Sequence, residues 1–179
     1  MPMPMPMPMP QRAVREQKST DGPELYLTCG LPGSGKTTLA RRIERECDAL
    51  RLTADEWLFR LHARERGHEL DDRRGLVEQV QWDVARRVLE LGCSVVLDWG
   101  LWSRQERDDL RTEAQALGAQ VVLCLLDPPR TELAARLAHR NAESPEGTFQ
   151  VEADELEGWD RLFERPDEGE LALFDAVYT

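Results

Sequence analysis

Between a short apolar run and an amphipathic one lies Gly30-x-x-x-x-Gly35-Lys36-Thr37, and this junction leaves few folds open to the chain. Leu25 to Cys29 before it reads as a buried strand. After it, Leu39, Ile43 and Cys47 recur every fourth residue among Arg41, Arg42, Glu44, Arg45 and Glu46, as in an amphipathic helix. A glycine-rich turn at such a junction curls its backbone N–H groups inward and makes a concave anion site. The helix that follows adds its positive N-terminal end. The stretch Gly30, Leu31, Pro32, Gly33, Ser34, Gly35, Lys36, Thr37, Thr38 fits the phosphate-binding loop pattern residue for residue. On that pattern Lys36 reaches the β- and γ-phosphates of ATP, and the Thr37 hydroxyl ligates Mg²⁺. The plain alternative is a glycine turn that binds nothing. Lysine usage agrees with the first reading. The chain has 2 lysines against 21 arginines, and Lys36 is the only lysine after Lys18. A compact ammonium suits the space between phosphate oxygens.

The rest of the chain alternates in the same manner. Strands are expected at 49–52, 94–97 and 120–126, with a short last one at 171–174. Helices are expected at 54–66, 76–91, 103–117, 130–141 and 152–163. In the helix from Leu76 to Leu91, Val77, Val80, Val84 and Val88 form the apolar stripe. Ser103-x-x-Glu106 is a capping box, and Gly92 and Gly118 stop their helices. Apolar strands alternating with helices predict an α/β fold, a parallel sheet of about five strands with helices on both faces. Ligands bind such sheets at the C-terminal edge of the strands.

At 179 residues one domain is expected, spanning 24–179. Residues 1–23 read as a disordered tail and linker that adds no core. Met1 to Pro10 is a strict Met-Pro repeat, in which proline removes backbone donors and forbids helix. It has neither a charged start nor a continuous apolar run, so it does not read as a secretion signal. The tail carries a net +1, which leaves −12 on the body of a chain whose total is −11. An acidic body argues against nucleic acid as a general partner, because such binding needs basic surface to displace counterions. Cys29, Cys47, Cys93 and Cys124 lack metal-like pairing and read as buried free thiols of a reducing cytoplasm. No run approaches the roughly 20 apolar residues of a membrane span. His62 and His68 are not spaced four apart on a helix, which makes a metal pair improbable.

The strand-edge rule selects the remaining candidates. Asp55 lies just past the second strand and Asp98 ends the third. Asp55 reads either as a first-turn acid within a Thr53-x-x-Glu56 capping box, or as the base that orients an acceptor hydroxyl, or as a carboxylate near Mg²⁺. Asp98, after Val95-Val96-Leu97, reads as a metal-holding or acceptor-side carboxylate, or as an acid satisfying loop amides. Trp99 and Trp102 either pack or wall an acceptor pocket. Arg136 and Arg140, four apart on one helix, either close over a γ-phosphate or form a solvated basic face; Arg130 is a weaker candidate. The charged stretch 61–75 could cover an acceptor.

Together, Gly30-Leu-Pro-Gly-Ser-Gly-Lys-Thr-Thr, Thr53-Ala-Asp-Glu-Trp, Val95-Val-Leu-Asp, Leu126-Asp-Pro-Pro and Arg136-Leu-Ala-His-Arg-Asn resemble the small P-loop kinases. These include the AAA domain kinases, the kinase domain of polynucleotide kinase, chloramphenicol phosphotransferase and zeta toxins. The resemblance covers roughly residues 24–165. It implies a P-loop NTPase fold with a helical lid, ATP and Mg²⁺ as cofactors, Asp55 as acceptor-side base, and Arg136 or Arg140 in the lid. One departure stands out. Polynucleotide kinases typically carry, three residues after this aspartate, an arginine that reads the substrate phosphate; here that residue is Leu58. The expected function is transfer of the γ-phosphoryl of ATP to a small-molecule hydroxyl. The alternatives are a kinase for nucleic-acid 5′ ends or nucleotides, and a nucleotide-binding switch without transfer.

Overall fold

The computed structural model describes residues 22–61, 68–143 and 153–179. Its sheet has five parallel strands in the order β2-β3-β1-β4-β5. They are β1 (Glu24–Cys29), β2 (Leu50–Leu52), β3 (Val95–Leu97), β4 (Gln120–Leu125) and β5 (Ala176–Tyr178). β1 is the middle strand. Leu25 to Leu27 pair with Val95 to Leu97 on one side, and Glu24 to Cys29 with Gln120 to Leu125 on the other. The loops that follow β1 and β3 therefore leave the same edge side by side. The helices are α1 (Lys36–Glu46), α2 (Ala54–Leu61), α3 (His68–Glu90), α4 (Arg104–Ala116), α5 (Arg130–Glu143), α6 (Ala153–Leu162) and α7 (Glu168–Leu171).

Successive strand residues point to opposite faces, so each face carries its own core. Tyr26, Val96, Val122 and Cys124 pack with Leu39, Ala40 and Ile43 of α1. Leu25, Leu27, Val95, Leu97, Val121 and Leu123 pack with Ala85 and Leu89 of α3, Leu110 and Ala114 of α4, and Leu133 of α5. Burial on both faces is why these strands read as uninterrupted apolar runs.

Three expectations change. α3 begins at His68 and buries Val77, Gln81, Ala85 and Leu89, while Val80 and Val84 are exposed. Valines occupy two adjacent rows of this helix; the row with Ala85 allows close approach, and its Gln81 accepts a hydrogen bond from Trp99 Nε1 at 2.8 Å. Leu171 to Phe174 do not form a strand. Asp167 caps α7 by accepting from Glu170 N at 2.7 Å, and Leu171 and Phe174 then fill the core at helical spacing. The last strand follows as β5. Cys93 is exposed, whereas Cys29 and Cys124 are buried, and burial pushes both of their thiols up to about 12. The Ser103–Glu106 capping box forms as expected.

No helix among the described residues is long and apolar enough to cross a membrane. The reading of the Met-Pro repeat and that of His62 lie outside the described residues.

Candidate active site

β1 delivers the chain to the loop with little room for side chains. Gly30 N donates to the Gly100 carbonyl at 3.0 Å, and a Cβ on Gly30 would stand 2.3 Å from the Leu126 carbonyl oxygen. Gly33 has φ 83°, and a Cβ there would stand 3.1 Å from Leu137 of α5. Gly35 heads α1 without any side-chain cap, so the first amides of the helix remain for a ligand. Inside the loop the Ser34 hydroxyl is buried and has no hydrogen-bond partner among the described residues, and a phosphate oxygen would suit it. Pro32 is half-buried, and Thr38 is exposed on the first turn of α1.

Lys36 does not project freely. Its Nζ donates to the Leu31 carbonyl at 2.8 Å, within the loop itself. Burial pulls its ammonium down to about 8, against the charges of Asp98 and Asp55, which hold it up. An ammonium has three donors, so one carbonyl leaves capacity for phosphate oxygens.

Asp98, at the end of β3, is buried beside Lys36 and Thr37. Thr37 Oγ1 donates to its Oδ1 at 3.3 Å and Thr53 Oγ1 to its Oδ2 at 3.1 Å. Burial pushes this carboxyl up, while the Thr37 hydrogen bond and the Lys36 charge work against that. The Thr37 hydroxyl and the Asp98 carboxylate are hard oxygen donors in contact, a pair that fits Mg²⁺. Arg51, unmarked by any sequence pattern, stands 3.7 Å from Asp98 and pairs with Glu56 at 3.0 Å and Glu44 at 3.1 Å. Thr53 Oγ1 donates to Asp98 and both Glu56 oxygens accept from Arg51, and among the described residues no capping-box hydrogen bond joins Thr53 and Glu56.

Asp55 sits in the first turn of α2 with its side chain 48% exposed. Its partner is Arg74 of α3, whose other arm holds Glu78 Oε1 at 3.2 Å. Asp55 follows β2, the neighbour of β3 in the sheet, and so leaves the same strand edge as Asp98. Leu58, one turn on, is buried in the core and offers nothing to a substrate.

α5 lies over the loop. Leu133 and Leu137 are buried against the body, and Arg136 Nη1 donates to the carbonyls of Gly33 at 3.3 Å and Ser34 at 3.2 Å. Arg140 is half-buried one turn further along α5. Arg130 turns away to Glu157 of α6 at 3.4 Å. The tryptophans pack: Trp99 is buried against Gln81, and Trp102 donates to the Gly30 carbonyl at 3.2 Å and lies against Trp159, ring centroids 5.8 Å apart. Trp102 thus braces the loop. The arrangement gathers a glycine-rich loop at a helix N-terminus, two cations that donate to its carbonyls, and a hydroxyl–carboxylate pair suited to magnesium.

A family model described as AAA domain matches residues 25–166. No curated protein matches the sequence. Among solved structures, Kti12 from Chaetomium thermophilum in complex with ADP-AlF3 superposes with a TM-score of 0.61 at 20% identity, over 86% of this chain and 87% of that one. A gluconokinase from Sinorhizobium meliloti 1021 gives 0.54 at 22%, over 87% and 81%. A chain of the Pnkp1/Rnl/Hen1 RNA repair complex gives 0.64 at 21%, over 83% of this chain and 46% of that one. At these identities the likeness is one of fold. The family match begins at β1 and takes in the loop, Asp55, Asp98 and α5, and the chain therefore belongs to the AAA domain family, with the fold of the P-loop kinases.

Proposed function

We propose that this protein is an ATP-dependent phosphotransferase that moves the γ-phosphoryl group to a hydroxyl of a small molecule. One observation carries this reading. Lys36 donates to the Leu31 carbonyl within the loop, Thr37 donates to the Asp98 carboxylate that follows β3, and Arg136 of α5 donates to the Gly33 and Ser34 carbonyls, so the end of β3, the start of α1 and α5 meet around one phosphate-binding loop. Amides of the loop and α1 hold the β- and γ-phosphates, joined by Lys36 and Arg136. Thr37 and Asp98 would hold Mg²⁺, which when bound would supply neutralisation of phosphate charge. Asp55 accepts the proton of the acceptor hydroxyl as its oxygen bonds to the γ-phosphorus and the bond to ADP breaks. Free thiols fit a cytoplasmic setting.

A small neutral acceptor is favoured over a polyanion by charge pairing on the acceptor side. Among the described residues there, Arg74 already holds Asp55 and Glu78, and Arg51 holds Glu44 and Glu56. An anionic substrate would have to displace a carboxylate from a guanidinium.

The test is a screen for γ-phosphate transfer against small alcohols and sugars in parallel with oligonucleotides bearing 5′-hydroxyls. Transfer to small hydroxyl compounds, lost in Lys36→Ala along with MgATP binding by calorimetry, is the expected result. Transfer to oligonucleotides alone would replace the acceptor class. MgATP binding with no transfer to any acceptor would make the protein a nucleotide switch.

Residues 129–148 act in this reading as a lid, of which 144–148 lie outside the described residues. Its cations neutralise charge that builds on the transferring phosphoryl, and such charge belongs to the transition state. Arg140→Ala is therefore expected to lower kcat more than it raises KM for ATP. Equal turnover in Arg136→Ala, Arg140→Ala and the parent would reduce α5 to a packed wall.

A further inference from the structure

We propose that Arg74 is the positioning residue of the acceptor side: fixed by Glu78 on its own helix, it holds one oxygen of Asp55 and so turns the other toward the crevice. The inference rests on Asp55 being the acceptor-side base. Asp55 needs such a partner. Its side chain is 48% exposed on the first turn of a short helix, where a lone carboxylate would rotate freely. Arg74 reaches it from 19 residues away, across the α2–α3 contact. The guanidinium is a planar fork with fixed arms. Nη1 is anchored on Glu78 Oε1 at 3.2 Å and Nη2 is spent on Asp55 Oδ1. Holding one end in the half-buried Glu78 defines where the other end points. A single exposed ion pair has no such reference. Asp55 Oδ2 is the oxygen left for an acceptor hydroxyl. Base, orienting group and a third group that holds the orienter form the same three-part chain that activates nucleophiles elsewhere.

Exposed ion pairs contribute little to stability, so loss of this one should be read in turnover and not in unfolding. The experiment uses basal MgATP hydrolysis by the full chain, with water as the acceptor, in a double-mutant cycle of Arg74→Ala and Asp55→Asn. Arg74→Ala is expected to lower kcat about 100-fold, the scale of a misplaced catalytic group, with KM for MgATP unmoved. It should cost nothing further in the Asp55→Asn background, and Arg74→Lys should recover part of the loss. A second readout is independent of activity. In ¹⁵N-arginine spectra at low temperature, the Arg74 guanidinium should show separate Nη signals that merge in Asp55→Asn and in Glu78→Gln. Equal losses in both backgrounds, or an Arg74 signal indifferent to Asp55→Asn, would overturn the inference. If Asp55→Asn leaves hydrolysis unchanged, it is the base reading that fails, and the spectra still decide whether Arg74 holds Asp55.

Discussion

Asp55→Asn lowers γ-phosphoryl transfer by about 10²–10⁴-fold, the contribution of a positioned general base, while MgATP binds as tightly as before. The amide keeps the shape of the side chain and removes its power to take a proton. Donor and acceptor sides are separate in this fold. In the proposed reading the loop, Lys36 and Arg136 hold nucleotide, whereas Asp55 comes from α2 and reaches no loop atom by a hydrogen bond among the described residues. Binding and turnover should therefore separate cleanly. Steady-state kinetics with the acceptor found by screening, beside calorimetric titration of MgATP, provide the check. A variant with full turnover and lowered stability would return Asp55 to the role of a first-turn acid favoured by the helix dipole. Asp55 does stand in the first turn of α2, so turnover and stability must be measured on the same variant.

Arg107→Ala lowers stability by about 3–5 kcal/mol, the cost of leaving one member of a buried ion pair without its partner. Arg107 on α4 is fully buried, with side-chain exposures of 0% and 2% for it and Glu170. Its Nε donates to Glu170 Oε1 at 2.6 Å and its Nη2 to Oε2 at 3.1 Å. The remaining donors reach the carbonyls of Leu101 at 2.9 Å and Glu164 at 2.8 Å. One guanidinium thus ties the loop after β3 to the chain around α7. Removing it strands a carboxylate and two carbonyls in the core. At this domain size the melting temperature should fall by about 10 °C. Replacing both partners with apolar residues, as in Arg107→Met with Glu170→Leu, should recover most of the loss, because the cost lies in the unpaired charge. Thermal unfolding of the three proteins decides the matter; a single variant that melts with the parent would mean that water reaches Glu170.

The phosphate loop, the strand and helix on either side of it, and the parallel α/β architecture were legible because each depends on local spacing. Glycines at 30, 33 and 35 stand where backbone must curl or approach closely, and β1, β3 and β4 carry the unbroken apolar runs of strands buried on both faces. Asp55 and Asp98 followed from the same logic, since any residue just past a strand of such a sheet comes to one edge. Where two local patterns competed, the period could not choose. Val80 and Val84 matched a helical stripe as well as Ala85 and Leu89 do, and Leu171 to Phe174 matched a strand until Asp167 and Glu170 were seen to start a helix there.

By itself, then, the sequence determined what is written within a few residues: the phosphate-loop pattern, the alternation of strands and helices as far as α6, and the positions of Asp55 and Asp98 just past strands of a parallel sheet. Only the tertiary structure decided which charge meets which. Arg74 finds Asp55 across 19 residues, Thr53 finds Asp98 across 45, and Arg107 finds Glu170 across 63. In a chain with 21 arginines and 34 acidic residues, spacing cannot name these partners. Coulomb attraction is indifferent to sequence separation and acts between whatever groups the packed helices bring within a few ångströms.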